Sequence, residues 1–145
     1  HCARGLKGVA EQCLDAALRQ RARPTDTHLL GPSVLDAFQY GPKDDAAVVL
    51  GGHHDPGYLT LEPRASAPGL QVLDANEEWQ PVEPAMGAGD LVVFAGDALQ
   101  LATGRKVKSC WHRVVGGQRP RLALAFELRC LTEDAFNIVP SPRPQ

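Results

Sequence analysis

Long apolar runs are missing from this sequence. No stretch of about 18 residues or more is apolar enough to cross a membrane as a helix, and no hydrophobic leader stands out, so nothing marks export or membrane spanning. Cysteine is scarce. The four present, Cys2, Cys13, Cys110 and Cys130, form no C-x-x-C pair and no close-set framework like those that staple small secreted domains, so a reduced, cytoplasmic protein is expected. An excess of charge of one sign is lacking too. A formal net charge of −2 and a pI near 6.2 give no long-range field to gather nucleic acid or an anionic membrane, and neither is expected as a partner. No internal repeat of fixed period occurs, which excludes solenoid architectures.

What is present suits an ordinary globular chain. The 145 residues are 43% hydrophobic and 22% charged, enough for a single domain, 1–145, with a core of its own. Leu6, Val9, Ala10, Cys13, Leu14, Ala17 and Leu18 recur at steps of three and four, which predicts an amphipathic helix over about 5–20. Arginines followed by Pro24 close it. After Pro24 the texture changes to short apolar or alternating segments separated by Gly, Pro, Asp and Asn, the pattern of an antiparallel sandwich or barrel. Strands are expected at Val34–Tyr40, Ala46–Leu50, Tyr58–Glu62, Leu70–Leu73, Trp79–Pro81, Leu91–Ala95, Lys108–Val115 and Leu122–Leu128, which sets the barrel core at about 34–130. The proline-rich end, 140–145, reads as a loose tail.

Chemistry concentrates in His53-His54-Asp55 and the distant His112. On a strand, alternate side chains share a face, so His53 and Asp55 point together while His54 points away. His112 reaches them if an antiparallel sheet folds back. A lone histidine is more often a packed or hydrogen-bonded residue than a ligand, but two histidines and a carboxylate that leave part of the ion open suit Fe(II) in non-haem oxygenases. Arg121 opens the last strand, nine positions after His112. Its planar fork matches a carboxylate, and aimed into a barrel it needs an anion there; a dicarboxylate spanning metal and arginine would supply one. Arg119 competes for this role, but Pro120 places it in the turn. His54, Trp79 and Trp111 read as packing residues, Gly96-Asp97 as a turn and cap, and Cys110 as a structural thiol.

From about Leu35 to Leu128 the order of motifs resembles the iron(II) and 2-oxoglutarate-dependent dioxygenases, in particular their isopenicillin N synthase-like branch. The matching pieces are His53-His54-Asp55-Pro56 with Leu59-Thr60-Leu61, Gly69-Leu70-Gln71-Val72-Leu73, Trp79, Gly96-Asp97 with Leu99-Gln100, Gly104-Arg105, Lys108-Ser109, His112-Arg113-Val114-Val115 and Arg121. The resemblance implies a mainly β double-stranded β-helix, or jelly roll, with iron on His53, Asp55 and His112. It implies 2-oxoglutarate on the metal, its far carboxylate on Arg121 with help from Tyr40. The reaction it implies oxidises or hydroxylates a small-molecule substrate with O2 and releases succinate and CO2. One departure stands out. The family's Arg-x-Ser is here Arg121-Leu122-Ala123, and a lost hydrogen bond to a charged group is worth about 1.5–3 kcal/mol, which predicts roughly one to two orders of magnitude weaker cosubstrate binding unless another donor compensates. A binding module of the same fold that has lost turnover is the first alternative, and a metal-containing barrel of another class, such as a cupin-type isomerase or a thiol dioxygenase, whose metals commonly draw three histidines, the second.

Overall fold

The computed structural model describes residues 33–129, with Gly8, Val9 and Gln12 before them. Those three residues are helical. The rest of the helix expected over 5–20, and the expected tail, lie outside the described residues.

Eight strands follow in order: β1 Val34–Tyr40, β2 Val48–His53, β3 Leu59–Pro63, β4 Leu70–Leu73, β5 Trp79–Pro81, β6 Leu91–Ala95, β7 His112–Val115 and β8 Arg121–Leu128. A single 3-10 turn, Glu83–Ala85, precedes β6, and a short helix α1, Asp97–Ala102, follows it. The strands form two four-stranded antiparallel sheets, β1-β8-β3-β6 and β2-β7-β4-β5. Leu70 and Val114 from one sheet meet Phe94 from the other, with Tyr40, Val92, Leu50 and Cys110 packed around them. This sheet-on-sheet interior makes the molecule the jelly roll that the sequence leads one to expect.

A second apolar cluster lies on the outside of the first sheet, where Leu59, Leu61, Phe126 and Leu128 bury against Leu99 of α1. Strand β3 therefore splits its side chains between two environments. Leu59 and Leu61 go outward under the helix, while Thr60 and Glu62 alternate onto the interior face, opposite Phe94 and Val92 of β6.

Strands β1, β4, β5 and β6 run as expected, β3 is shifted by one residue, and the remaining three differ for local reasons. Ala46 has φ of 66° and belongs to a turn, so β2 starts two residues later and runs on to His53. Backbone groups before His112 are engaged elsewhere, with Cys110 N–H donating to the Ala95 carbonyl at 2.9 Å, so β7 begins only at His112. Strand β8 takes in Arg121, which pairs directly with Tyr40 of β1. Helix α1 occupies a place where the sequence suggests only a turn and cap at Gly96-Asp97.

Leu61 is fully buried on the face away from the interior. Leu61→Ala is expected to cost about 2–5 kcal/mol in a denaturant titration while leaving metal affinity within twofold of the parent.

Candidate metal and cosubstrate site

Strands β2 and β7 bring the two histidines together. His53 ends β2, His112 begins β7, and they are direct partners in the antiparallel register, with ring centroids 4.2 Å apart. Alternation alone would not aim both inward. Leu50 pairs with Val114 and His53 with His112, so β2 uses three residues where β7 uses two. That extra residue, a bulge, rotates His53 onto the interior face that Leu50 already occupies.

Backbone carbonyls orient both rings. His53 Nδ1 lies 2.9 Å from the Gly51 carbonyl and His112 Nδ1 3.2 Å from that of Cys110. A protonated Nδ1 donating to a carbonyl leaves Nε2 as the ligand atom, the usual arrangement behind a metal-bound histidine. Both Nε2 atoms face Asp55 Oδ1, at 3.5 Å from His53 and 3.7 Å from His112. One ligand atom from each of the three residues lies within 4.8 Å of the others.

Asp55 reaches this place by a route other than the strand alternation expected of it. The strand ends at His53, and Asp55 sits in the following turn. Helix α1 holds that turn: Asp97 N–H donates to the Asp55 carbonyl at 2.8 Å and Ala98 N–H to that of Gly57 at 3.1 Å. The contact is close enough to require glycine, since a Cβ on Gly96 would sit 2.2 Å from the Gly57 oxygen. Thr60 then donates its hydroxyl hydrogen to Asp55 Oδ2, leaving Oδ1 toward the histidines. His54 points elsewhere, with Nδ1 3.3 Å from an Asp97 carboxylate oxygen and its ring edge-on to Trp111.

Burial disfavours charge on Asp55, but hydrogen bonds from His53 and Thr60 and the nearby His112 outweigh it and hold the carboxyl below its usual range. The same Asp55 contact raises the pKa of His53. Desolvation wins at His112, 4% exposed, and favours its neutral form. An anionic carboxylate, a neutral buried imidazole and a histidine whose proton a cation can displace form a donor set that fits Fe(II).

Arg121 enters the interior as expected and is 4% exposed. The anion it meets is a protein group that sequence reasoning missed. Its Nη2 donates to Glu83 Oε1 at 2.9 Å, and the Glu83 carboxylate, 2% exposed, also accepts the N–H groups of Gly69 and Leu70 at 3.1–3.2 Å. Arg121 still has capacity, because its buried Nε has no hydrogen-bond partner among the described residues. That unused donor is of the chemical type that a carboxylate accepts from. The Tyr40 ring centroid lies 5.6 Å from the guanidinium carbon. Ala123 is two residues on, buried and without a hydroxyl.

Glu62 and Thr60 were also overlooked as site residues, although period-two alternation from an inward Thr60 would have indicated Glu62. Desolvation drives the Glu62 carboxyl up to about 7, against the Arg121 charge and with help from Asp55 and Glu83.

A family model described as the 2OG-Fe(II) oxygenase superfamily matches residues 16–129. The chain belongs to this superfamily. Among its relatives, gibberellin 20 oxidase 2 of Oryza sativa subsp. indica is 39% identical over 94 residues, covering 64% of this chain and 23% of the relative. Gibberellin 20 oxidase 5 of Arabidopsis thaliana is 35% identical over 115 residues, covering 77% and 29%. The rice dioxygenase for auxin oxidation superposes with a TM-score of 0.72 at 27% identity, covering 89% of this chain and 44% of that one. A full-length Neurospora crassa protein solved in complex with alpha-KG, that is 2-oxoglutarate, gives 0.71 at 25%, covering 86% and 43%. The chain thus spans about a quarter of the length of these curated relatives and under half of these two structures. The superfamily's cofactors are Fe(II) and 2-oxoglutarate.

Two outcomes are expected here. Thr60→Val, which removes the donor to Asp55, should weaken Mn(II) or Co(II) binding about 10–100-fold, and Thr60→Ser should restore it. Since His53 holds its proton more firmly than usual and the metal must displace it, affinity should fall as pH drops through the histidine range, accompanied by proton release on binding in a pH-stat titration.

Proposed function

We propose that this chain is the catalytic core of an oxygenase that uses Fe(II), 2-oxoglutarate and O2 to hydroxylate or oxidise a small organic molecule, releasing succinate and CO2. The observation that carries the proposal is the convergence of His53 Nε2, His112 Nε2 and Asp55 Oδ1 on one point. Three ligands from one side leave the remaining positions for cosubstrate and oxygen. Relatives whose names give small-molecule chemistry, among them scopoletin 8-hydroxylase of Arabidopsis thaliana, support the substrate class.

In this reading His53, Asp55 and His112 hold the iron, and Arg121, with Tyr40 beside it, receives the far carboxylate of 2-oxoglutarate. Bound Fe(II) would supply the oxygen chemistry. The protein's own part is positional: two carbonyls fix the imidazole rings, Thr60 fixes the carboxylate, and the Phe94 ring, 4.6 Å from that of His112, keeps water from that side of the site. A second reading, a metal-binding module with weak or no turnover, is favoured by the Arg121–Glu83 pair and by Ala123, which together leave the cosubstrate fewer donors.

With Fe(II) and 2-oxoglutarate present, succinate formation is expected from the parent chain and should vanish in His53→Ala and Asp55→Ala. Equal succinate release by those variants would remove the triad from the mechanism. Arg121→Lys should raise the KM for 2-oxoglutarate about 10–100-fold with a smaller change in kcat, because an ammonium lacks the Nε–H donor that the Arg121–Glu83 pair leaves unused.

A further inference from the structure

Glu62 is an ionisable side chain on the interior face that the proposed activity does not use. It stands on β3, two residues beyond the inward-facing Thr60 and opposite Val92, whose side chain packs into the inter-sheet core. Neighbouring β8 carries Arg121, itself paired with Tyr40 of β1. Among the described residues Glu62 has no hydrogen-bond or ion-pair partner.

The charged and titratable groups acting on Glu62 come from several elements. Arg121 on β8 attracts it, Glu83 from the 3-10 turn and Asp55 from the turn after β2 repel it, and His53 at the end of β2 attracts it; it acts in turn on Tyr40 of β1. The facing positions of β6 are apolar, Val92 and Phe94. Arg121 cannot neutralise this group outright, because its Nη2 already serves Glu83. The chamber thus holds one guanidinium against two glutamates, before any dianion enters between the triad and Arg121.

We propose that Glu62 is the affinity-determining residue for the dicarboxylate cosubstrate, which binds only when the Glu62 carboxyl carries a proton. The proposal rests on the cosubstrate reading above. With the metal matched by the other end of the ligand, the incoming far carboxylate joins Glu62 and Glu83 around the one Arg121 guanidinium; these carboxylates repel one another in a low-dielectric interior, and one proton on Glu62 relieves that repulsion. Cosubstrate binding is then proton-coupled: the ligand arrives with its two charges, Glu62 takes one proton from solvent, and release of ligand returns it. The carboxyl is poised for this, titrating at about 7.

The test compares the parent with Glu62→Gln, each loaded with Mn(II), by calorimetric titration of 2-oxoglutarate between about pH 6 and 8.5 in two buffers of different ionisation enthalpy. For the parent, uptake approaching one proton per ligand is expected above about pH 7, with affinity falling up to about tenfold per pH unit. Glu62→Gln should show neither effect and should bind roughly tenfold tighter at about pH 8. An unchanged pH slope in Glu62→Gln, or weaker binding at that pH, overturns the proposal.

A ligand-free measurement separates this from failure of the cosubstrate reading. A carboxyl whose pKa is raised by folding adds stability that is complete below its unfolded value and is lost as pH rises through its folded value. The melting temperature of Glu62→Gln should therefore gain on the parent between about pH 5 and 8. No pH-dependent gap between the two melting curves overturns the role of Glu62 whatever the binding result. If the gap is present but neither protein binds 2-oxoglutarate at the acid end of the range, the cosubstrate reading is what fails, and the ligand assigned to Glu62 falls with it.

Discussion

The site depends on one cross-strand pairing, that of His53 with His112 between β2 and β7. A pleated pair places opposite side chains about 4.5–5.5 Å apart, so two imidazoles in register are already at the separation a shared cation needs. Register is what protects this. A slip of one residue turns every side chain to the other face, and β2 reaches the correct face only through the extra residue between Leu50 and His53. The carboxylate of the triad is secured differently, by hydrogen bonds from α1 to the turn that contains Asp55. Sheet and helix thus fix the two parts of the triad independently.

Around that pairing the interior divides its charge unevenly. Near the triad, a carboxylate faces two imidazoles and is pinned by a hydroxyl. On β8 of the opposing sheet, a guanidinium is joined at 2.9 Å to a carboxylate of the 3-10 turn, and both are almost fully buried. Removing either partner of such a pair leaves an uncompensated buried charge, so Glu83 supports the position of Arg121 as much as it competes for it. Gly69 belongs to the same arrangement: its N–H donates to Glu83, and a Cβ there would come within 2.9 Å of Arg121 Cδ.

Much of this was legible in the sequence because it was written in short-range patterns. Alternation between turn residues located the strands, and the mixture of His, Asp and Arg singled out the side chains that the structure turns inward. For the aspartate, the sequence supplies the right neighbour for an incomplete reason. Alternation from His53 to Asp55 suggests one strand, whereas a bulge before His53 and a helix-held turn after it produce the same meeting. Bulges carry no clear mark in composition, so neither could be read directly. Glu83 was hidden for a different reason: its partner Arg121 lies 38 positions away, and only the closed sheets reveal that they meet. Helix α1, six residues long, was too short to show a periodic stripe.

Cys110 lends its carbonyl to His112 and its side chain to the inter-sheet core. Desolvation pushes its thiol up to about 11, which leaves about one molecule in ten thousand as thiolate at neutral pH. Oxidants and soft cations attack the thiolate, so a sulfur two residues from a proposed redox metal is kept chemically quiet by the apolar packing that surrounds it. The core of this jelly roll thereby doubles as insulation, shielding the barrel from damage by the chemistry proposed for its mouth.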